Sequence, residues 1–168
     1  MKTLIACIVL VSAVFLISGC KKSDNNLTAN EPVYTGPQNG WILDTAQIVN
    51  HGSSVAYVPS NFVRFTAVAN PSLYYYLQIN IYSQGPSVTP GTYKIGDYKV
   101  PGQITIYTGK SMNQYSVSYE SSPVETAKAT IQIKDGKTRI YVPEIWIHKK
   151  YPLNSSDSIK FSAQVMEL

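Results

Sequence analysis

Thiols and imidazoles are nearly absent from this 168-residue chain. The two cysteines are Cys7, inside an apolar run, and Cys20, at the end of it. The polypeptide beyond residue 20 therefore has no thiol for a disulfide, a metal or a nucleophile. The two histidines, His51 and His148, are far apart with no other nitrogen or sulfur ligand nearby, which argues against a zinc cluster. His51 reads as a loop residue and His148 as a strand-end residue. Loop carboxylates and carbonyls leave an oxygen site for calcium open, but no regular acidic ladder of the kind that holds it is present, so no cofactor is assigned. A Gly-x-Ser-x-Gly elbow is missing, as are the glycine motifs that cradle phosphates, and neither histidine can be placed as a base for a serine.

Charge is also sparse. Only 14% of the residues are Asp, Glu, Lys or Arg, against about a quarter in an average domain. The formal charge of +4 is scattered singly, and the one local excess, His148-Lys149-Lys150, is too short to follow a phosphate backbone. A nucleic-acid partner is excluded on that ground. Helical periodicity is missing too, because no stretch longer than about ten residues beyond the N-terminus repeats at the period of 3.6.

What the chain does have begins at its N-terminus. Lys2 precedes an apolar run between Leu4 and Ile17, broken only by Ser12. Its length of about 14 residues is short of the roughly 20 that a permanent membrane-spanning helix needs. A basic end, a short apolar core and small residues ahead of a cleavage point are the features of an export signal. Ile17-Ser18-Gly19-Cys20 completes the pattern and resembles the lipobox of bacterial lipoproteins. The resemblance implies a signal peptide over residues 1–19, with Cys20 acylated as the first mature residue and membrane lipid as a partner through that acylation. Lys21 and Lys22 follow, so the acidic residue that often retains lipoproteins in the inner membrane is missing. An outer-membrane anchor is the resulting expectation, with the leaflet left open. Residues 20–40 are polar and carry Pro and Gly, with no apolar period, and read as a lipidated flexible tether.

From Trp41 onward the period is two. Val63, Phe65 and Ala67 alternate with polar neighbours, as do Leu77, Ile79 and Ile81, then Ile104 and Ile106, then Ala129, Ile131 and Ile133, and finally Ile159, Phe161, Ala163 and Val165. Turn signals fall between the runs, and Asp135-Gly136 is the sharpest, fitting a two-residue hairpin whose central positions favour positive φ. Pro143 interrupts the following strand and predicts an edge or a bulge. A single all-β domain over residues 41–168 is expected, an antiparallel β-sandwich with a small barrel as the alternative. The Trp41-led first strand, the Pro90-Gly91-Thr92-Tyr93 turn and the closing C-terminal strand resemble small β-sandwich domains of uncharacterised Bacteroidota lipoproteins. That resemblance implies a fold and carries no activity.

Tyrosine is the conspicuous excess, 13 residues against 4 phenylalanines. A tyrosine combines an apolar body with a hydroxyl that needs water or a partner, which suits half-buried sheet faces and sugar-contacting surfaces alike. Tyr74 and Tyr76 are expected on one strand face with Gln78 and Asn80, as a surface contacting a glycan or an envelope protein. Tyr75 then shares the opposite face with Leu77 and Ile79. The competing reading makes the tyrosines cross-strand partners that shield backbone. The expected role is thus a membrane-anchored, non-catalytic binding module. The alternative is a hydrolase acting on envelope polymers through two of Asp44, Asp97, Glu120, Glu125, Asp135, Glu144 and Asp157.

Overall fold

The alternation is realised as strand after strand. The computed structural model of the protein describes residues 34–58, 62–69, 74–83, 85–96, 99–112, 115–122, 125–151 and 157–168. The signal segment, Cys20, the tether up to residue 33, Asp97 and the Asn70-Pro71-Ser72 turn lie outside the described residues. Eleven strands follow in order: β1 Gly40–Leu43, β2 Ala46–Val49, β3 Gly52–Val58, β4 Phe62–Val68, β5 Tyr75–Tyr82, β6 Gly91–Ile95, β7 Gln103–Met112, β8 Tyr115–Ser121, β9 Lys128–Lys134, β10 Lys137–Tyr151 and β11 Ser158–Met166. No helix occurs among the described residues.

All eleven strands belong to one sheet, ordered β2-β1-β11-β10-β9-β6-β7-β5-β4-β3, with β8 pairing both β10 and β7. Laid flat, neighbouring strands about 4.8 Å apart would put β2 and β4 some 40 Å from each other. Yet Ile48 of β2 and Phe65 of β4 are buried in one hydrophobic cluster with Trp41, Ile79, Ile147 and Phe161. The sheet is therefore folded over, so that its two arms cover a common core as the layers of a sandwich do. It does not close into a clean barrel, because among the described residues β2 and β3 remain its unpaired edges. At one end the arms are stitched together: Ser53 Oγ donates to the carbonyl of Met166 at 3.1 Å and accepts from the Leu168 N–H at 2.9 Å.

The pairing is antiparallel with one exception. β6 and β7 run parallel through Lys94–Gln103 and Ile95–Ile104, which makes the sheet mixed. Beside this pair the sheet branches. One edge of β10 pairs with β9 over residues 137–141 and with β8 over residues 147–151. β7 likewise turns from β6 to β8 along its length. Buried Ser121 bridges the fork, its Oγ accepting from the Ile106 N–H at 3.1 Å and donating to the Gly96 carbonyl at 3.2 Å. Without that hydroxyl the Ile106 amide would have no ladder partner at the point where β6 leaves β7.

Local signals land where the residues put them. Asp135 and Gly136 have φ of 54° and 74° and close the β9–β10 hairpin in two residues. Pro143 falls in a register shift between Val142 and Ile145, opposite the fork, where neither β9 nor β8 is paired with β10. A missing N–H costs least there. Ile133 departs from its alternation and is 41% exposed, two residues past the last β9 residue paired with β6.

The folded unit also starts earlier than the change in sequence period suggests. Residues 34–39, which the sequence groups with the tether, belong to the compact unit that runs to Leu168. The Tyr34 hydroxyl donates to the Gly40 carbonyl at 3.1 Å. Asn39 Oδ1 accepts from both the Met166 N–H at 2.9 Å and Asn50 Nδ2 at 3.1 Å. Polar contacts of this kind leave no mark on an apolar period.

Candidate ligand-facing surface

The apolar residues of the alternating strands point into the core, so their neighbours form the outer face. The register then sets which of those neighbours stand side by side. One row crosses seven strands: Ser54 of β3 faces Thr66 of β4, then Gln78 of β5, Tyr107 of β7, Glu120 of β8, His148 of β10 and Ser158 of β11. Six steps of about 4.8 Å make a row roughly 29 Å long measured along the sheet, which it follows from one arm to the other.

The row is closely held. Ser54 Oγ and Thr66 Oγ1 are 2.9 Å apart. Gln78 Nε2 donates to Asn80 Oδ1 at 3.1 Å. Glu120 forms an ion pair with Lys150, whose Nζ also lies 4.9 Å from the centroid of the Tyr107 ring. Ser158 Oγ and His148 Nδ1 are 2.8 Å apart. In the adjacent row Lys160 stands 5.9 Å from the Trp146 ring and pairs with Glu144 at 2.7 Å. On the other arm Arg64 lies 5.5 Å from the Phe62 ring, which meets the ring of Tyr82 at 5.4 Å. A cation over an aromatic face is attracted by the ring quadrupole and fixes the orientation of the ring.

Of the four side chains singled out from the sequence, three share the outer face of β5 and differ in accessibility. Gln78 is half-buried in the long row beside Tyr107, whereas Asn80 is buried between Arg64 and Thr105. Tyr76 is half-buried opposite Gly109 of β7, and its hydroxyl is hydrogen-bonded to the Ser118 side chain of β8. Burial pushes the Tyr76 hydroxyl pKa up, against the pull of that hydrogen bond and of the Lys150 charge. Tyr74 stands outside the strand. Its φ is 41°, β5 begins one residue later, and its side chain is 60% exposed. Tyr75 faces inward against the core as the alternation implies, with Lys110 5.4 Å from its ring.

The described carboxylates have local engagements. Besides Glu120 and Glu144, Asp157 pairs with Lys149 at 3.3 Å, and Glu125 Oε1 accepts from the Thr126 and Ala127 amides of its own loop. Asp44 and Asp135 occupy positive-φ turn positions. Among the described residues no group of three or more His, Cys, Asp or Glu gathers as a metal site.

Tyr107, Lys150, Glu120 and Trp146 carry more of this surface than the sequence pattern singled out. Period two along β7 points Tyr107 outward, but only the β7–β8 and β8–β10 pairings bring a lysine and a glutamate to it. A scan against protein-family models, a search of curated proteins and a search of solved structures found no match to this chain.

Proposed function

We propose that this protein is a lipid-anchored envelope lipoprotein whose β domain is a non-catalytic binding module, with carbohydrate as the ligand class. The observation that carries the reading is the in-register outer row. Tyr107 offers a ring oriented by Lys150, and on either side stand an amide (Gln78), hydroxyls (Thr66, Ser54) and an imidazole (His148). Sugar recognition needs an aromatic platform for the ring and fixed hydrogen-bonding groups for its hydroxyls. The alternative, hydrolysis by two acids flanking one bond, has less support because Glu120 and Glu144 are each held by a lysine.

The anchor rests on Ile17-Ser18-Gly19-Cys20 after the short apolar run, and Lys21 and Lys22, standing where an acidic residue often retains lipoproteins in the inner membrane, support the outer membrane. Each buried methylene contributes about 0.8 kcal/mol, and two or more acyl chains hold a protein where one does not. Labelling of cells with a fatty-acid probe tests it: Cys20→Ser is expected to abolish the label, and label retained in the variant overturns the assignment. For the domain, wild-type protein on a broad glycan array is expected to bind a defined subset. Tyr107→Ala and Gln78→Ala should each lose at least tenfold in affinity with little change in melting temperature. No binding across the array, or undiminished binding by both variants, overturns the glycan reading.

A further inference from the structure

A second feature of the outer face lies away from the long row, where β6 and β9 sit beside the start of β7. A cleft of about 480 Å³ is lined by Thr92, Lys94, Gln103 and Lys128 on the strands and by Val100 and Pro101 on the loop before β7. That is the size range of small-molecule sites. Lys94 and Lys128 are exact cross-strand partners in the β6–β9 ladder, and Gln103 faces Lys94 from β7. Like charges directly opposite on one face repel, and no ion pair among the described residues involves either lysine. Glu125, three residues before Lys128, directs its carboxylate to amides of its own loop instead. Lys99, next to the lining Val100, is exposed and adds positive charge to the same loop.

Gln103 supplies an independent observation. Its side chain lines the cleft, while its Oε1 is buried on the Gly96 side without a hydrogen-bond partner; a buried acceptor without a donor is costly, so turning this oxygen toward a ligand breaks no hydrogen bond. The cleft therefore combines two adjacent cations that want an anion with an amide side chain whose oxygen gains a partner on turning toward a ligand hydroxyl or N–H. Val100 and Pro101 add a short apolar wall.

We propose that this cleft binds a small hydroxylated anion, of about the size of one sugar unit and carrying a carboxylate or a phosphate. The anionic oxygens are shared between Lys94 and Lys128, relieving their repulsion. The Gln103 side chain turns toward the cleft so that a ligand hydroxyl donates to its Oε1, and Thr92 supplies a further hydroxyl contact. The site is separate from the Tyr107 row and does not depend on glycan binding there.

The test is a nuclear magnetic resonance titration of the β domain within the full mature chain, using glucuronate, glucose 6-phosphate and glucose as probes. At least one anion is expected to shift Lys94, Gln103 and Lys128 resonances saturably, with glucose at least tenfold weaker. The stronger of the two anions tells carboxylate from phosphate as the preferred group. The Lys94→Gln/Lys128→Gln variant should lose at least tenfold in affinity, Gln103→Leu should lose severalfold, and Tyr107→Ala should bind unchanged. Raising the salt should weaken binding, as screening of exposed charges requires. The lysine variant removes only surface charge and should melt no lower than wild type without ligand. Equal binding of glucose, no saturable shift with either anion, or full affinity in the lysine double variant overturns the proposal.

Discussion

Tyr76 of β5 and Gly109 of β7 are cross-strand partners, and a Cβ placed on Gly109 would lie 2.9 Å from Tyr76 Oη. The glycine leaves room for the phenol to extend across β7 to Ser118 of β8. The same Cβ would also meet the Val117 carbonyl oxygen, a backbone atom that cannot swing aside. Gly109→Ala is therefore expected to destabilise the domain by about 2–3 kcal/mol through overpacking. Urea denaturation checks it, and a change within error of zero would mean that β7 and β8 part without cost.

Asn39 joins the segment ahead of β1 to the end of β11. Its Oδ1 accepts from the Met166 N–H and from Asn50 Nδ2, and Asn50 Nδ2 in turn reaches the Met166 carbonyl at 3.2 Å. Asn39→Ala leaves two donors without that acceptor, at an expected cost of about 1–3 kcal/mol. Hydrogen exchange should show the loss at the Met166 amide. If that amide keeps wild-type protection, residues 34–39 are not held in the way described.

Phe161 and Trp146 lie on neighbouring strands and opposite faces. Phe161 is fully buried, whereas Trp146 is 53% exposed. Phe161→Ala should cost about 3–5 kcal/mol, the usual range for emptying an aromatic site in a core. Trp146→Ala should change stability by less than about 1 kcal/mol, since an exposed side chain leaves no cavity. Thermal melts of the two variants side by side give the comparison, and equal losses would contradict the assignment of faces.

Alkaline pH should reveal the docking of Tyr34. Burial pushes its hydroxyl pKa up to about 12 from 10, outweighing a backbone hydrogen bond from Gln164 that acts the other way. Burial likewise raises Tyr76 and Tyr93. The unfolded chain loses these protons near pH 10 while the folded chain keeps them, so stability is retained below pH 10 and falls as pH rises through the folded pKa. Melting temperature measured from pH 8 to 12 should drop above pH 10, and Tyr34→Phe should flatten the drop. An unchanged slope in the variant would remove Tyr34 as a source.

Much of the fold is legible in single residues and their immediate neighbours. Val63, Phe65 and Ala67, or Phe161, Ala163 and Val165, need only the strand period to be placed inward. Asp135-Gly136 needs only its φ preferences, and Pro143 only its missing N–H. These are local properties, carried by the covalent chemistry of each residue, and they determine an all-β chain with one face of each strand turned to the core. The proposed lipobox at Ile17-Ser18-Gly19-Cys20 is local in the same sense, being read from residue type and order alone. Tertiary structure decided which strands are neighbours, and with that the surface. Nothing near Tyr107 in the chain foretells Lys150 above its ring, and nothing near Lys94 foretells Lys128 opposite it. The parallel β6–β7 pair, the fork plugged by Ser121 and the docking of Tyr34 and Asn39 are likewise long-range. Even Tyr74, a good strand former, stands outside β5 because its backbone turns to φ 41° just before the strand starts, and its carbonyl accepts from the Ser111 amide of β7. Strand propensity and alternation assign a side chain to a face, but only the pairing of distant segments assigns it a neighbour, and a binding surface is made of neighbours.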